Sequence, residues 1–249
     1  MIRRWVSIGF VLLASVHCWA GPTAPLANGT DPTAVSWTGF GSSGAVPWNI
    51  VVLLTLLTLL PALILSMTPF VRLLVVFHFL RQALGTTSTP TNQTLIGLAL
   101  VLTMFLMQPV GAAIQRDAVA PLQAGKINAF QAIEAGSQPL KQYMLHYVRE
   151  KDVKLFLELA KEQRPHKPED LSMRIVVPAY ILSELKIGFQ IGAVLFLPFL
   201  VIDLVVASIT TSVGMMQLPP VVISTPLKLL LFVMVDGWNL LIGSLMRSF

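Results

Sequence analysis

Cysteine is almost absent from this chain, and charged residues are scarce. The single cysteine, Cys18, lies near the N-terminus, so the rest of the chain can form no disulfide and has no thiol chemistry. Asp, Glu, Lys and Arg make up 12% of the 249 residues, whereas soluble domains average about 25%. Hydrophobic residues make up 55%. This composition is typical of a membrane protein, or of a subunit that buries most of its surface in partners.

Motifs that carry catalysis are also missing. The sequence contains no H-E-x-x-H, G-x-S-x-G, Walker A or G-x-G-x-x-G pattern, and His78, His146 and His166 lack ligand spacing. The basic residues from Arg149 to Lys167 are interleaved with acids, which argues against a nucleic-acid-binding stripe. The sequence therefore predicts a protein that is not an enzyme and that uses no metal, cofactor or nucleic acid.

The N-terminus has the features of a secretory signal peptide. Arg3 and Arg4 precede an apolar run that is too short to span a bilayer, and small residues lead to Ala20. We therefore expect residues 1–20 to be removed. Residues 21–46 are rich in Gly, Pro, Ser and Thr, which predicts a flexible exported segment.

Four long apolar segments dominate the rest of the chain. Each reaches the roughly 20 residues that a helix needs to cross the hydrocarbon core of a bilayer. We therefore predict an all-α fold, with a first apolar helical hairpin over residues 47–114 and a second over residues 175–249. The apolar segments cover residues 48–67, 95–114, 187–213 and 221–245.

Between the two hairpins lies a segment of different composition. Residues 115–174 hold most of the charged residues of the chain. Leu145, Val148, Leu155 and Leu159 recur there at helical spacing. This pattern predicts a small helical insert that faces water.

Charge also predicts the topology. Arg72 and Arg81 follow the first apolar segment in a predicted short loop, and the positive-inside rule places such a loop in the cytoplasm. The signal peptide agrees, because it directs the residues that follow it outward. The charged insert is then expected on the periplasmic side.

Five charged residues stand inside or beside the third and fourth apolar segments: Glu184, Lys186, Asp203, Lys228 and Asp236. A charge at the bilayer centre costs roughly 2.5–3.5 kcal/mol on insertion scales, so these groups are expected to face a partner, a cavity or water. Three arrangements remain open. The charges form acid–base pairs within or between subunits, they form a proton or ion relay, or they lie at the membrane interface.

Two glycines mark a face of close helix packing. Gly188 and Gly192 are four residues apart, a spacing that lets two helix backbones approach closely. Glu184 lies one turn earlier on the same face. We interpret this face, together with Lys186, Asp203 and Lys228, as a subunit interface. Packing within the chain is the alternative.

The second hairpin is interrupted by a loop that contains two methionines and two prolines. The prolines end the helix, because proline lacks the N–H and clashes with the preceding turn. Irregular backbone at membrane depth persists only where it is buried in protein or lines a water-filled cavity. Flexible methionines repeated around a symmetry axis would form a deformable seal, and a connecting turn is the alternative. The loop comprises Gly214, Met215, Met216, Gln217, Leu218, Pro219 and Pro220.

Three ordered strings of residues resemble a known family. They span residues 66–110, 178–220 and 223–245, and they contain P-A-Y-x-L-S-E-L-x-x-G-F-x-I-G and P-F-L-V-I-D. These strings resemble the FliP family of flagellar biosynthesis proteins, core subunits of the flagellar type III export gate. The resemblance covers nearly all of the chain after the signal peptide. The signal peptide and the L-R-Q-A-L-G-T segment favour the flagellar branch over the injectisome branch.

The resemblance implies an assembly. Members of the family would form a pentameric ring and, with the flagellar subunits called Q and R, a helical export gate inside the basal-body ring. Unfolded flagellar proteins would pass through its channel. The implied location is the bacterial inner membrane at the flagellar basal body, with the apolar helices raised toward the periplasm.

The resemblance also implies roles for particular residues. Met215 and Met216 would form a gasket around the channel, and Gln217 stands where relatives often carry an apolar residue. Glu184 and Lys228 match charged positions in contacts between subunits. The alternative function is a self-sufficient membrane transporter or channel that uses Glu184 and Asp203 as proton sites.

Overall fold

The computed structural model describes residues 48–86, 89–165, 167–214 and 219–249. These residues form helices and no strands, which confirms the all-α prediction for this part of the chain. The predicted signal peptide, the predicted exported segment and the methionines of the loop lie outside the described residues. The helices are α1 (Trp48–Ser66), α2 (Phe70–Ala83), α3 (Asn92–Leu106), α4 (Gln108–Ile114), a π-helical turn (Gln115–Val119), α5 (Ala120–Gln123), α6 (Ala129–Tyr147), α7 (Glu150–Ala160), a 3-10 turn (Pro168–Asp170), α8 (Met173–Ser212), α9 (Pro220–Met234) and α10 (Gly237–Arg247).

Helix α2 is the centre of the first hydrophobic core. Leu73, Val76, Phe77 and Leu80 recur at helical spacing and are almost fully buried. They pack with buried side chains from α3, α8, α9 and α10. Burying each of these large side chains contributes roughly 1.5–3 kcal/mol. The other buried members of this core include Ala83, Leu84, Leu95, Ala99, Phe199, Phe232, Leu241 and Leu245.

The charged insert is helical, as predicted, and docks on the first half of α8 through a second core. Asn128 begins α6 with a capping box, since its side chain accepts from the Gln131 N–H and the Gln131 side chain accepts from the Asn128 N–H. Met144 of α6 and Leu157 of α7 are buried against Tyr180 of α8 and its neighbours. The insert is thereby packed directly against the second apolar hairpin.

The four predicted apolar segments differ in their regularity. Among the described residues, two helices, α1 and α8, are long and apolar enough to cross a membrane. The other two segments are each a pair of helices with a bend between them, of 58° after Leu106 and of 66° after Met234. If each bent pair crosses the membrane as one span, these residues provide four spans. The second bend is at Asp236, whose φ of 50° is left-handed and cannot continue a right-handed helix.

The prediction that Arg72 and Arg81 lie in a short loop is wrong. Both arginines lie in α2, and Arg72 is 2% exposed. The chain turns at Met67–Pro69 and continues as an apolar helix, because the hydrophobic residues of α2 keep helical spacing on both sides of Arg72. Because Arg72 is buried inside the protein, its charge does not indicate that this segment lies in the cytoplasm.

Candidate functional site

The charged residues of α8 are the candidate site, and Glu184 is the most deeply buried of them. Its carboxylate accepts two hydrogen bonds from the guanidinium of Arg72 on α2: Nε to Oε2 at 2.9 Å and Nη2 to Oε1 at 2.5 Å. The two side chains are 2% and 0% exposed. This two-point geometry is the strongest form of an arginine–carboxylate pair, and it fixes α2 against α8.

The third guanidinium nitrogen of Arg72, Nη1, binds the residues that follow α10. Its Nη1 donates to the carbonyl oxygen of Ser248 at 3.2 Å and contacts the Ser248 hydroxyl at 3.3 Å. The ring of Phe249 covers the guanidinium, with its centroid 3.9 Å from Cζ. Tyr147 of α6 donates to the Phe249 carbonyl oxygen. Arg72 therefore joins α2, α8, the insert and the residues after α10 at one point.

A second buried acid connects the insert to α8. Asp152 of α7 accepts hydrogen bonds from the Ser183 hydroxyl at 2.8 Å and from the Lys186 ammonium. Burial alone would raise the pKa of Asp152, but these two hydrogen bonds and the charges of Lys186 and Arg149 outweigh it, so the pKa lies below its ordinary value. Asp152 is therefore ionised at neutral pH and holds α7 on α8.

The third pair lies in the second hairpin, between α8 and α9. Lys228 Nζ donates to Asp203 Oδ2 at 2.6 Å, and the Lys228 side chain is 4% exposed whereas that of Asp203 is 36% exposed. The other carboxylate oxygen, Oδ1, is buried with no hydrogen-bond partner among the described residues. Four of the five charges singled out in the sequence thus form acid–base pairs within the chain, one of the arrangements left open. The fifth, Asp236, accepts a hydrogen bond from Asn239 Nδ2 at 3.2 Å and forms no ion pair with the described residues.

The two glycines of α8 pack against α2 of the same chain. A Cβ added at Gly188 would lie 3.1 Å from Val75 Cγ1, and one at Gly192 would lie 2.5 Å from the Phe79 ring. The contacts advance in the same direction on both helices, so α2 and α8 run parallel here. Both glycines therefore lie in a close contact between two helices of the same chain, which is the alternative given in the sequence analysis. A single chain does not test the predicted subunit interface, which stays a prediction.

The loop of the second hairpin is described only at its ends. Gly214 has a φ of +79°, a left-handed conformation that glycine adopts without strain, and it follows the last turn of α8. Pro219 is extended and Pro220 is the first residue of α9, a position where its missing N–H costs nothing. The predicted gasket residues Met215, Met216 and Gln217 lie outside the described residues.

Sequence reasoning missed the partners of Glu184 and Lys186. The sequence predicts Arg72 in a short loop and Asp152 among the charges of a water-facing insert. For Arg72 a signal existed, because it interrupts an apolar helical pattern that continues after it. Asp152 and Ser183 had no comparable signal, since only the docking of α7 on α8 brings them together.

Comparison with known proteins identifies relatives over most of the chain. The model of the FliP family matches residues 53–245. The flagellar biosynthetic protein FliP of Pectobacterium carotovorum subsp. carotovorum is 45% identical over 251 residues, which cover 99% of this chain and 93% of that protein. The same-named protein of Bacillus subtilis (strain 168) is 46% identical over 201 residues, 81% of this chain and 91% of that protein.

A third relative, the flagellar biosynthetic protein FliP of Buchnera aphidicola subsp. Acyrthosiphon pisum (strain APS), is 52% identical over 205 residues. The aligned part covers 82% of this chain and 54% of that protein. The family match and these identities span both apolar hairpins and the charged insert between them, and they confirm the resemblance seen in the sequence. The chain belongs to the FliP family.

Proposed function

We propose that this protein is a structural pore subunit of the flagellar type III protein export gate. It forms a pentameric ring and, with the partner subunits Q and R, a channel for unfolded flagellar proteins at the inner membrane. Membership of the FliP family supports the flagellar role, because every relative named above is a flagellar biosynthetic protein. The charged insert faces the periplasm in this proposal.

The observation that carries the proposal is the apolar surface that the chain leaves uncovered. Helix α1 has no buried residue, and the second half of α8 and much of α9 expose their large side chains. Such a surface requires lipid or other subunits to cover it. The charged residues of the second half of α8 and of α9, Asp203 and Lys228, pair with each other, which leaves a largely apolar surface for packing. Examples of the exposed side chains are Val201, Leu204, Leu230 and Val233.

The loop between α8 and α9 is the proposed gasket. The left-handed Gly214 and the extended Pro219 end the two helices sharply, so the loop is short. The Asp203–Lys228 pair holds the two helices together below the loop. Met215 and Met216, repeated around the ring axis, would supply flexible apolar side chains that close on one another and reshape around a passing chain.

The assembly is tested by native mass spectrometry of the gently extracted protein, with and without the two partner subunits. We expect a closed homo-oligomer of five copies that takes up the partners, because the uncovered apolar surface is large. A monomer or dimer that ignores both partners would contradict the proposal.

The gasket is tested by the double variant Met215→Ala with Met216→Ala. We expect the assembly to keep its mass while the membrane becomes permeable to small ions, because alanine leaves the constriction partly open. Ion conductance of reconstituted complexes is the measurement. Leu155→Ala with Leu159→Ala, two exposed residues of α7 in the charged insert, is the control. An assembled complex with the conductance of the control would count against the gasket.

The alternative of a self-sufficient transporter has less support from the geometry. Glu184 is fully buried and both its oxygens bind Arg72, so a proton path would first have to break that pair. One carboxylate oxygen of Asp203 accepts a hydrogen bond from Lys228, so a proton path through Asp203 would have to break that pair as well. Proton-dependent flux in vesicles that contain this protein alone would restore the alternative.

A further inference from the structure

Two tyrosine hydroxyls are buried between the insert and α8. They belong to Tyr143 of α6 and Tyr180 of α8, and each is closed to solvent with no hydrogen-bond partner among the described residues. The whole Tyr180 side chain is buried, whereas the ring of Tyr143 is partly exposed. A buried hydroxyl without a partner costs free energy, and nearly all buried polar groups in folded proteins bind protein or ordered water. These two hydroxyls therefore require a partner that the described side chains and backbone do not supply.

The two hydroxyls lie close to each other. The rings of Tyr143 and Tyr180 meet edge to face, with their centroids 6.2 Å apart. Burial raises the pKa of Tyr143, the neighbouring Tyr180 hydroxyl opposes that shift, and the charge of Glu184 adds to it. The hydroxyls nevertheless do not form a hydrogen bond of normal geometry. Polar groups that approach each other without bonding directly are commonly bridged by water.

Glu184 supplies a third polar group. It lies one turn after Tyr180 on the same face of α8, and both side chains are fully buried. Each of its oxygens accepts one hydrogen bond from Arg72. An ionised carboxylate offers about four acceptor positions, so Glu184 can accept further hydrogen bonds. The hydroxyl of Tyr143 stays protonated at neutral pH because its pKa is raised, and it is therefore a donor.

Aromatic contacts surround these polar groups. Tyr143 packs on Tyr147, with ring centroids 4.8 Å apart, and Tyr147 packs on Phe249 at 5.8 Å. Phe249 in turn covers the guanidinium of Arg72. Together with the buried ion pair and the tyrosine pair, these contacts form a closed circuit that joins α2, α6, α8 and the residues after α10. The circuit shields the two hydroxyls and the carboxylate from bulk solvent.

We propose that one water molecule is bound between Tyr143, Tyr180 and Glu184. The water accepts the O–H of each tyrosine and donates to a free acceptor position of the Glu184 carboxylate. This arrangement gives it three hydrogen bonds, about the usual number for a buried water. The water extends the Arg72–Glu184 pair to the insert, so polar as well as apolar contacts hold α6 on α8. The site lies within one chain and does not rest on the proposed ring or on export.

Substitution of each tyrosine by phenylalanine tests this proposal, because it removes the hydroxyl and keeps the ring. Thermal unfolding of the full-length protein in detergent is the measurement. Tyr143→Phe and Tyr180→Phe should each lower the unfolding midpoint by about 2–4 °C, because each removes one hydrogen bond of the water. The double variant should lower the midpoint by clearly less than the sum of the two shifts, because both hydroxyls act through the same water.

Tyr147→Phe is the matched control. It removes the direct hydrogen bond to the Phe249 carbonyl oxygen and should also lower the midpoint, but its effect should add to that of Tyr180→Phe. Two results would overturn the proposal. The first is an unchanged or raised midpoint in both Tyr143→Phe and Tyr180→Phe, because removal of a hydroxyl that has no partner relieves its desolvation cost. The second is full additivity of these two substitutions, which would mean that the hydroxyls share no partner.

A density map of the unsubstituted full-length protein, at a resolution that shows ordered water, gives a second test that needs no variant. We expect one peak within about 2.5–3.0 Å of both hydroxyl oxygens, the normal length of a hydrogen bond between oxygens. A direct contact between the two hydroxyls with no peak beside them would contradict the proposal.

Discussion

Replacement of Glu184 by Gln is expected to lower the free energy of unfolding by about 3–5 kcal/mol, because it removes one partner of a buried ion pair. The variant leaves the Arg72 guanidinium buried without a counter-charge, and an uncompensated buried charge is costly. Because Arg72 also binds Ser248 and Phe249, the residues after α10 should become accessible. Unfolding in detergent, with protease susceptibility of the C-terminal residues, measures both effects.

The exposed pair of Lys154 and Glu158 supplies the control. Its charged atoms are 4.0 Å apart and both side chains are mostly solvated, so Glu158→Gln should change stability by less than about 1 kcal/mol. The double variant Arg72→Leu with Glu184→Leu removes both charges and should be more stable than Glu184→Gln. Equal stability of Glu184→Gln and Glu158→Gln would show that the buried pair does not hold the fold together.

Replacement of Gly192 by Ala is expected to separate α2 from α8 at a cost of about 1–3 kcal/mol, the usual penalty for an overpacked core. The new methyl group would lie 2.5 Å from the ring of Phe79 and 2.9 Å from its Cβ. Rotation of the ring moves the first contact but not the second, because Cβ is attached to the backbone. Phe79 also packs edge-to-face on Phe189, which opposes its rotation.

Gly97 is the matched control for this substitution. It also lies in a helix, α3, but a Cβ there would meet nothing within 4 Å. Gly97→Ala should therefore be neutral or slightly stabilising, because alanine restricts the unfolded chain. Phe79→Ala should rescue Gly192→Ala in a double-mutant cycle of thermal unfolding. Equal unfolding midpoints for Gly192→Ala and Gly97→Ala would rule out close packing at Gly192.

Much of the helical architecture was predictable, because the patterns that specify it are local. Apolar runs of helical length predicted the long helices, and the charged segment with leucines at helical spacing predicted the insert. The glycines at 188 and 192 predicted a close helix contact, and the structure has one. The bends after Leu106 and Met234 were not predicted, although Gln108 and Pro109 interrupt the first apolar run and Asp236 and Gly237 interrupt the second.

Tertiary structure decided which residue pairs with each charge of the apolar helices. Residue types alone required that Glu184, Lys186, Asp203 and Lys228 be neutralised, since lone charges do not persist in apolar helices. That requirement is satisfied equally well by a neighbour in the chain or by another subunit. The partners found, Arg72 and Asp152, are separated from α8 by many residues in sequence.

The amino-acid sequence determined the fold class, the family and the positions where charge must be compensated, because these depend on local composition and ordered motifs. Folding decided that α2 runs parallel to α8, that the insert docks on α8, and that the chain bends between α9 and α10 at Asp236. Those features arise from contacts between residues far apart in the chain, and the free energy of such contacts depends on shape and distance that no local pattern encodes.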